Sequence, residues 1–232
     1  MKTLAIETSG RFGSIAIWES NQCLAEKDLP HDRRTAESLI IGIEDLISGC
    51  HWSPADLELI AVTQGPGSFT GLRLGCVTAK VLAYAVGAKL VGVNTLEVLA
   101  SPAMPGTPLW SAMEAGRNQC FVAQFSVTKQ GPTETTPALI MEIEEWLKIL
   151  TAGDRITGPL LQTVRQRLPA GVETLPVEHW SPHARHVAQL GVDKYRQGHV
   201  ENLWEFSPHY FRPSAAEEKR SVAGQHRGNK PK

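Results

Sequence analysis

Apolar runs separated by polar turns organise the N-terminal part of the chain. Residues 4–6 and 14–18 are apolar segments on either side of the polar, glycine-bearing turn 8–13, a pattern that predicts a β-hairpin. From Thr35 to Ser48, apolar residues recur at the three- and four-residue spacing of an amphipathic helix. Because Ile41 falls off the main apolar face, this helix is expected to be apolar on two sides, like a helix between a sheet and a partner.

The next segments predict an alternation of helices and strands. At 53–56, an N-cap Ser followed by Pro and an acid is typical of a helix start, and it leads into the apolar run 57–62. Residues 89–93 are short and β-branched, which predicts a buried strand, and Asn94 is placed to cap a following helix that ends at Ala100. The order of elements indicates an α/β layer.

A break between two lobes is predicted at 101–108, which contains three prolines and one glycine. After it, strands are predicted near 109–113, 120–127 and 155–157, and helices near 142–150, 160–168 and 183–196. We therefore predict an N-terminal α/β lobe at 1–103, a C-terminal α/β lobe at 104–212 and a tail at 213–232. The tail lacks apolar periodicity and is expected to be disordered.

Composition is that of a globular protein without a membrane span. The chain has 232 residues, 42% of them hydrophobic and 20% charged, and no apolar stretch reaches the ~20 residues of a membrane-spanning helix. The N-terminus turns acidic at Glu7 before a signal-peptide core could form, so a cytoplasmic location is expected. The net charge of −1 excludes a strong non-specific field for nucleic acid, although residues 213–232 alone carry +3.

Cysteine and histidine spacing gives no support to a metal site. Cys23, Cys50, Cys76 and Cys120 lie far apart without a C-x-x-C pair, which fits neither a zinc module nor a disulfide scaffold. His183 and His186 stand three residues apart, but no neighbouring Asp, Glu or Cys cluster completes a set of ligands.

A glycine-rich segment, Gly65-Pro66-Gly67-Ser68-Phe69-Thr70-Gly71, opens a predicted helix. Backbone N–H groups at such a helix start would stabilise an anion such as phosphate, although the spacing matches neither a Walker A loop nor a dinucleotide fingerprint. Alternatively, the glycines allow tight packing of strand against helix, and the first turn merely caps the hairpin. The residues that could face a nucleotide are Glu7, Thr8, Ser9, Gly65, Gly67 and Ser68.

Three strings together resemble the TsaB family, also called YeaZ, of tRNA threonylcarbamoyladenosine biosynthesis. They are Gly65–Gly75, Leu4–Ser9 and Val91–Leu96, and the resemblance spans roughly residues 1 to 212. The family implies a reduced, two-lobed fold of the sugar kinase, Hsp70 and actin type. It also implies a cytoplasmic partner of the same fold, the TsaD-type threonylcarbamoyl transferase, with a TsaE-type ATPase and tRNA in a larger assembly.

The resemblance implies a scaffold and activator rather than an enzyme. The partner's metal sits on a His-x-x-x-His helix whose two ligand positions correspond to Thr95 and Leu99, neither of which supplies a side-chain nitrogen or carboxylate. This chain is therefore expected to need no cofactor, whereas ATP, magnesium and the metal belong to the partner proteins. The alternative is a small ATPase or phosphotransferase that uses Glu7, Thr8 and the glycine-rich loop.

The family also implies a helical interface with the transferase, formed by the helices at 35–48 and 71–85. Without a partner, the same surface is expected to allow a homodimer. The expected interface residues are Leu39, Ile43, Leu46, Arg73, Leu74, Gly75, Val77, Thr78 and Val81.

Overall fold

Two five-stranded sheets form the framework of the protein in the computed structural model, which describes residues 1–30, 36–106 and 108–211. The strands of the first sheet are β1 (Thr3–Glu7), β2 (Ser14–Glu19), β3 (Gln22–Asp28), β4 (Leu59–Gly65) and β5 (Lys89–Asn94), in the order β3-β2-β1-β4-β5. The predicted hairpin is confirmed as the antiparallel pair β1 and β2, and β4 and β5 run parallel to β1. The predicted start at 53–56 is a single 3₁₀ turn with the expected capping.

Helices α1 (Ala36–Gly49) and α2 (Phe69–Val86) cover one face of the first sheet. That face is built from large side chains such as Leu4, Ile6 and Ile60, which alternate along the strands with small residues pointing the other way. By length and composition alone α2 could cross a membrane, and about 33% of it is buried inside the protein. Thr35, the expected first residue of α1, lies outside the described residues.

Helix α6 (Ala184–Arg196) covers the other face of the first sheet, where Ala5, Ala16 and Ala61 leave room for close approach. The sequence had assigned this helix to the C-terminal lobe of residues 104–212, and the structure corrects that assignment. The small alanines of β1, β2 and β4 accept the small residues of α6, with Gly191 in direct contact with Ala61.

The start of α6 is tied to the first hairpin by polar contacts. The Ser14 hydroxyl accepts a hydrogen bond from the backbone N–H of Ala184 at 2.9 Å, and Glu26 Oε1 accepts one from the N–H of Arg185 at 3.0 Å. The Arg185 guanidinium also pairs with the Glu26 carboxylate at 2.9 Å. Two of the N–H groups that a helix start leaves unpaired are thereby satisfied by β2 and β3.

The second sheet contains β6 (Leu109–Gly116), β7 (Gln119–Thr128), β8 (Gly131–Glu142), β9 (Arg155–Thr157) and β10 (Glu173–Thr174), in the order β10-β9-β6-β7-β8. Helices α4 (Ile143–Ile149) and α5 (Leu161–Val164) pack on one face around the buried Trp146. The strands predicted at β6, β7 and β9 are confirmed, whereas β3, β8 and β10 were not predicted. All three missed strands are sheet edges rich in polar residues.

Helix α3 (Thr95–Ala100) joins the two sheets. Its Leu96, Leu99 and Ala100 pack against the second sheet, and Val98 packs with α6 on the first. The cap expected at its start is confirmed, because Asn94 Oδ1 accepts a hydrogen bond from the N–H of Leu96 at 2.8 Å. The sheets are therefore connected through a buried helix as well as through the segment 101–108.

Replacement of Gly191 by Ala should destabilise the protein by about 1–3 kcal/mol, because a methyl group there meets Ala61 on β4 and must push α6 off the sheet. Gly49→Ala is the matched control. It also lies in a helix, but nothing is within 4 Å of the added methyl group, so stability should stay equal or rise slightly. Urea denaturation followed by circular dichroism measures both, and equal effects would contradict the close packing of α6.

Candidate functional site

A cleft of about 730 Å³ lies where the first hairpin turn, the glycine-rich loop and the second sheet meet. The chain closes this cleft with its last described residues, which return from α6 past the end of β4. Its polar and charged lining residues are Ser9, Arg11, Ser68, Glu114, Gln162, Thr163, His209 and Tyr210.

The glycine-rich loop and the hairpin turn are in direct contact. The N–H of Ser68 donates to the Ser9 carbonyl at 2.7 Å, and the Thr8 hydroxyl donates to the Gly71 carbonyl at 2.8 Å. A Cβ atom at Gly67 would collide with Ser9, and one at Gly71 would collide with the Thr8 carbonyl. Side chains larger than hydrogen would therefore separate the two loops.

Glu7 is fully buried and holds the hairpin turn from inside. Its Oε1 accepts hydrogen bonds from the Ser9 N–H and the Ser9 hydroxyl, both at 2.7 Å, and from the Gly10 N–H at 3.2 Å. Its second oxygen, Oε2, is buried, with the Thr63 hydroxyl as a neighbouring polar group. Burial raises the pKa of the Glu7 carboxyl above its ordinary value, although interactions with Ser9, Thr63 and Gly10 oppose the rise.

Several N–H groups that could face an anion at this turn are engaged within the chain itself. The N–H groups of Ser9, Gly10 and Ser68 already donate to acceptors of the chain itself. The Ser68 hydroxyl caps α2 by accepting from the Gly71 N–H at 3.3 Å. The Glu7 carboxylate accepts hydrogen bonds from the N–H groups of Ser9 and Gly10, which would otherwise be available to an anion.

One side of the cleft is lined by an aromatic cluster that the sequence did not predict. The Arg73 guanidinium lies over the Phe69 ring at 4.0 Å and donates from Nε to the Tyr210 hydroxyl at 2.8 Å. The Phe69 and Tyr210 rings are 4.7 Å apart between centroids. The spacing of Phe69 and Arg73, one helical turn apart, was the available signal, but nothing local indicated that Tyr210 would join them.

The end of β4 also anchors the C-terminal segment. The His209 N–H donates to the Gln64 carbonyl, and the Gln64 side-chain amide donates to the Ser207 carbonyl, both at 2.8 Å. Gly65 has no room for a side chain, since an added Cβ would lie 2.6 Å from the His209 carbonyl oxygen. Gly65 thus contacts the C-terminal segment, whereas Gly67 contacts the hairpin turn.

The two outer helices correct part of the expected interface. Leu39, Ile43 and Leu46 of α1 are buried against the first sheet, because they form the main apolar face of that helix. The apolar residues that α1 leaves exposed are Ile40 and Ile41, with 51% and 49% of their surface accessible.

On α2, the expected interface residues divide between two faces. Gly75 and Thr78 are buried, and Gly75 contacts the Thr8 hydroxyl, so both belong to the inner face. Val77 and Val81 are exposed, Arg73 is exposed and Leu74 is half-buried. The outer face of α2 is therefore apolar between its two ends.

The positions compared with metal ligands are parts of the core. Thr95 and Leu99 are buried in α3, with at most 1% of their surface accessible. His183 and His186 have ring centroids 6.5 Å apart, and burial lowers the pKa of His186 to about 4. Across 1–30, 36–106 and 108–211, no three His, Cys, Asp or Glu side chains come together to hold a metal ion.

The two five-stranded sheets, the hairpin turn against the glycine-rich loop and the cleft beside them define an α/β protein. Residues 30–191 match the family described as TsaD, tRNA N6-adenosine threonylcarbamoyltransferase. The chain belongs to this family. Its named relatives support the resemblance to the TsaB (YeaZ) family.

Individual relatives agree with this assignment. The chain is 29% identical over 156 residues to the tRNA threonylcarbamoyladenosine biosynthesis protein TsaB of Bacillus subtilis. The aligned region covers 67% of this chain and 68% of that protein. It is 27% identical over 198 residues to the Escherichia coli protein of the same name, with 76% and 85% covered. The solved structure of YeaZ from Pseudomonas aeruginosa has the same fold, with a TM-score of 0.78 at 19% identity over 90% of this chain and 99% of that one.

Replacement of Glu7 by Gln should stabilise the protein increasingly as pH rises. The raised pKa means that the folded state holds the Glu7 proton more tightly than the unfolded state, so wild-type stability falls between the ordinary pKa of 4.5 and the raised value. Gln keeps the acceptor oxygen and carries no charge. The difference in free energy of unfolding between Glu7→Gln and the wild type should grow by up to about 1.4 kcal/mol per pH unit in that window. Urea denaturation from pH 4 to 8 measures it, and a pH-independent difference would contradict a strained Glu7 carboxylate.

Proposed function

We propose that this chain is an accessory subunit in the biosynthesis of threonylcarbamoyladenosine on tRNA. The names of its relatives support this function, since TsaB proteins carry that pathway in their description and the matched family profile describes the transferase itself. The chain binds and activates a TsaD-type transferase in the cytoplasm. A TsaE-type ATPase and tRNA complete the assembly, and a homodimer forms when the partner is absent.

The observation that carries the proposal is the outer face of α2. Leu74, Val77, Val81 and Tyr84 follow one another at spacings of three, four and three residues, the repeat with which helices pack side by side. The last three expose 59%, 62% and 66% of their surface. An isolated chain gains nothing from such a row, whereas burial against a partner helix removes it from water.

Helix α1 enlarges this surface. Its exposed Ile40 and Ile41 lie on the same side of the first sheet as the outer face of α2, since both helices pack on one apolar layer. The N-terminal ends of the two helices meet around a small groove lined by Leu39, Thr70 and Leu74. Two helices of this chain and two of a related fold would form a four-helix contact, as the family implies.

The proposed role is non-catalytic, and the core packing of α3 supports it. Thr95 and Leu99 stand where a metal-binding relative has its ligands, and both are enclosed among apolar side chains. The Glu7 carboxylate accepts hydrogen bonds from the N–H groups of Ser9 and Gly10 in the turn. This argues against the alternative function of an ATPase or phosphotransferase, which would need such N–H groups for phosphate. The chain needs no cofactor of its own in this proposal. It activates by ordering the transferase rather than by supplying an acid, base or nucleophile.

Transfer of labelled threonylcarbamoyl groups to tRNA tests the function directly. The purified TsaD-type transferase and the remaining pathway proteins should transfer label only when this chain is added, and the chain should transfer none alone. Product is measured by retention of label on tRNA. Activity that does not change when the chain is left out would contradict the activator role and would make ATP turnover at the glycine-rich loop the next reaction to test.

Replacement of Val77 by Glu should abolish activation, because partner binding would bury an unpaired charge in the apolar row. Val77 is exposed, so the free protein should fold and melt as the wild type does. Val177→Glu is the matched control, since that valine is 61% exposed but lies in a turn before α6. Calorimetric titration should show at least about tenfold weaker binding for Val77→Glu alone, equivalent to about 1.4 kcal/mol. Equal binding of both variants would place the interface elsewhere.

A further inference from the structure

Trp204 is an exposed aromatic side chain at the end of the outer face of α2. It leaves 76% of its surface accessible, an unusual fraction for the largest apolar side chain. Its ring stands edge-on to Tyr84, with 5.6 Å between the ring centroids. Trp204 comes from the segment after α6, more than a hundred residues beyond α2 in the sequence, so helical periodicity could not have connected the two.

The backbone around Trp204 is fixed, although the indole is exposed. Neighbouring Leu203 and Phe206 pack into the apolar core of the first sheet. The Trp204 N–H donates to Asn202 Oδ1 at 3.0 Å, and the Lys80 ammonium donates to the Trp204 and Phe206 carbonyls at 3.2 and 3.3 Å. A side chain presented from such a turn loses little conformational freedom when it is bound.

The contact with Tyr84 makes Trp204 continuous with the row Leu74, Val77, Val81 and Tyr84. We propose that Trp204 is an anchor residue of the partner surface, inserted into an apolar pocket of the transferase beside the helix that packs on α2. This inference rests on the proposed function and adds to it a contact outside the helices. Tryptophan and tyrosine are the side chains that most often dominate binding energy at protein interfaces.

Charge favours the transferase over a second copy of this chain as the occupant. Three exposed acids lie on α1 and beside Trp204, namely Glu37, Glu44 and Glu205. They outnumber the one exposed cation of this part of α2, Arg73, which already contacts Phe69 and Tyr210. A two-fold contact between two copies of this chain would place one acidic surface against another. A partner with lysine or arginine around its pocket complements them instead.

The experiment compares binding of the transferase by Trp204→Ala and by Met104→Ala, measured by calorimetric titration. Met104 is 75% exposed and lies in the segment between the two sheets, away from α2. Trp204→Ala should bind at least tenfold more weakly, whereas Met104→Ala should bind as the wild type does. Fluorine NMR of wild-type protein labelled with 5-fluorotryptophan gives a second measurement. The Trp204 resonance, assigned through Trp204→Phe, should shift when the transferase is added.

The outcomes separate this inference from the proposed function. If the wild type binds the transferase while Trp204→Ala binds equally well and the Trp204 resonance does not move, Trp204 is no anchor and the proposed function stands. If the wild type does not bind at all, the proposed function fails, and the inference fails with it. If Trp204→Ala weakens only self-association, measured by sedimentation, the surface belongs to a second copy and the inference is overturned.

Discussion

The close contact between the first hairpin turn and the start of α2 determines the rest of this structure. Glu7 holds the turn through three hydrogen bonds, the turn packs on the glycines of the loop, and Ser68 begins the helix. This contact fixes where α2 starts and hence the rotation of every residue along it. Gly75, Ala79 and Ala83 consequently face the sheet, and Val77, Val81 and Tyr84 face outward.

The two faces of α2 separate the small residues that pack on the sheet from the large apolar residues that remain exposed. The inner face is small because the sheet and Thr8 lie close, as the Gly75 contact demonstrates. The outer face has β-branched and aromatic side chains that no described residue covers apart from Trp204. Small residues on α2 therefore serve the fold of the chain itself, and its large apolar residues remain available to a partner. The interface expected from the sequence mixed members of these two sets.

Local signals in the sequence were sufficient for elements whose cause is local. The β1–β2 hairpin, the cap at Asn94 and the strand at β9 follow from alternation, capping and turn chemistry, and all three are confirmed. The exposed side of α1 was also detectable, since Ile41 lies off the main apolar face. The edge strands β3, β8 and β10 were not predicted because an edge tolerates polar residues on both faces.

Other features depend on residues distant in sequence, which periodicity cannot connect. The position of α6 is set by the alanine face of the first sheet, which no property of the helix itself reveals. Tyr210 and Trp204 reach opposite ends of α2 because the segment after α6 runs beside that helix. Arg73, an expected interface residue, and Lys80 both form hydrogen bonds with this segment. The glycine-rich loop and the outer face of α2 are consequently the start and one side of a single helix, so a disturbance of the Glu7 turn should change both.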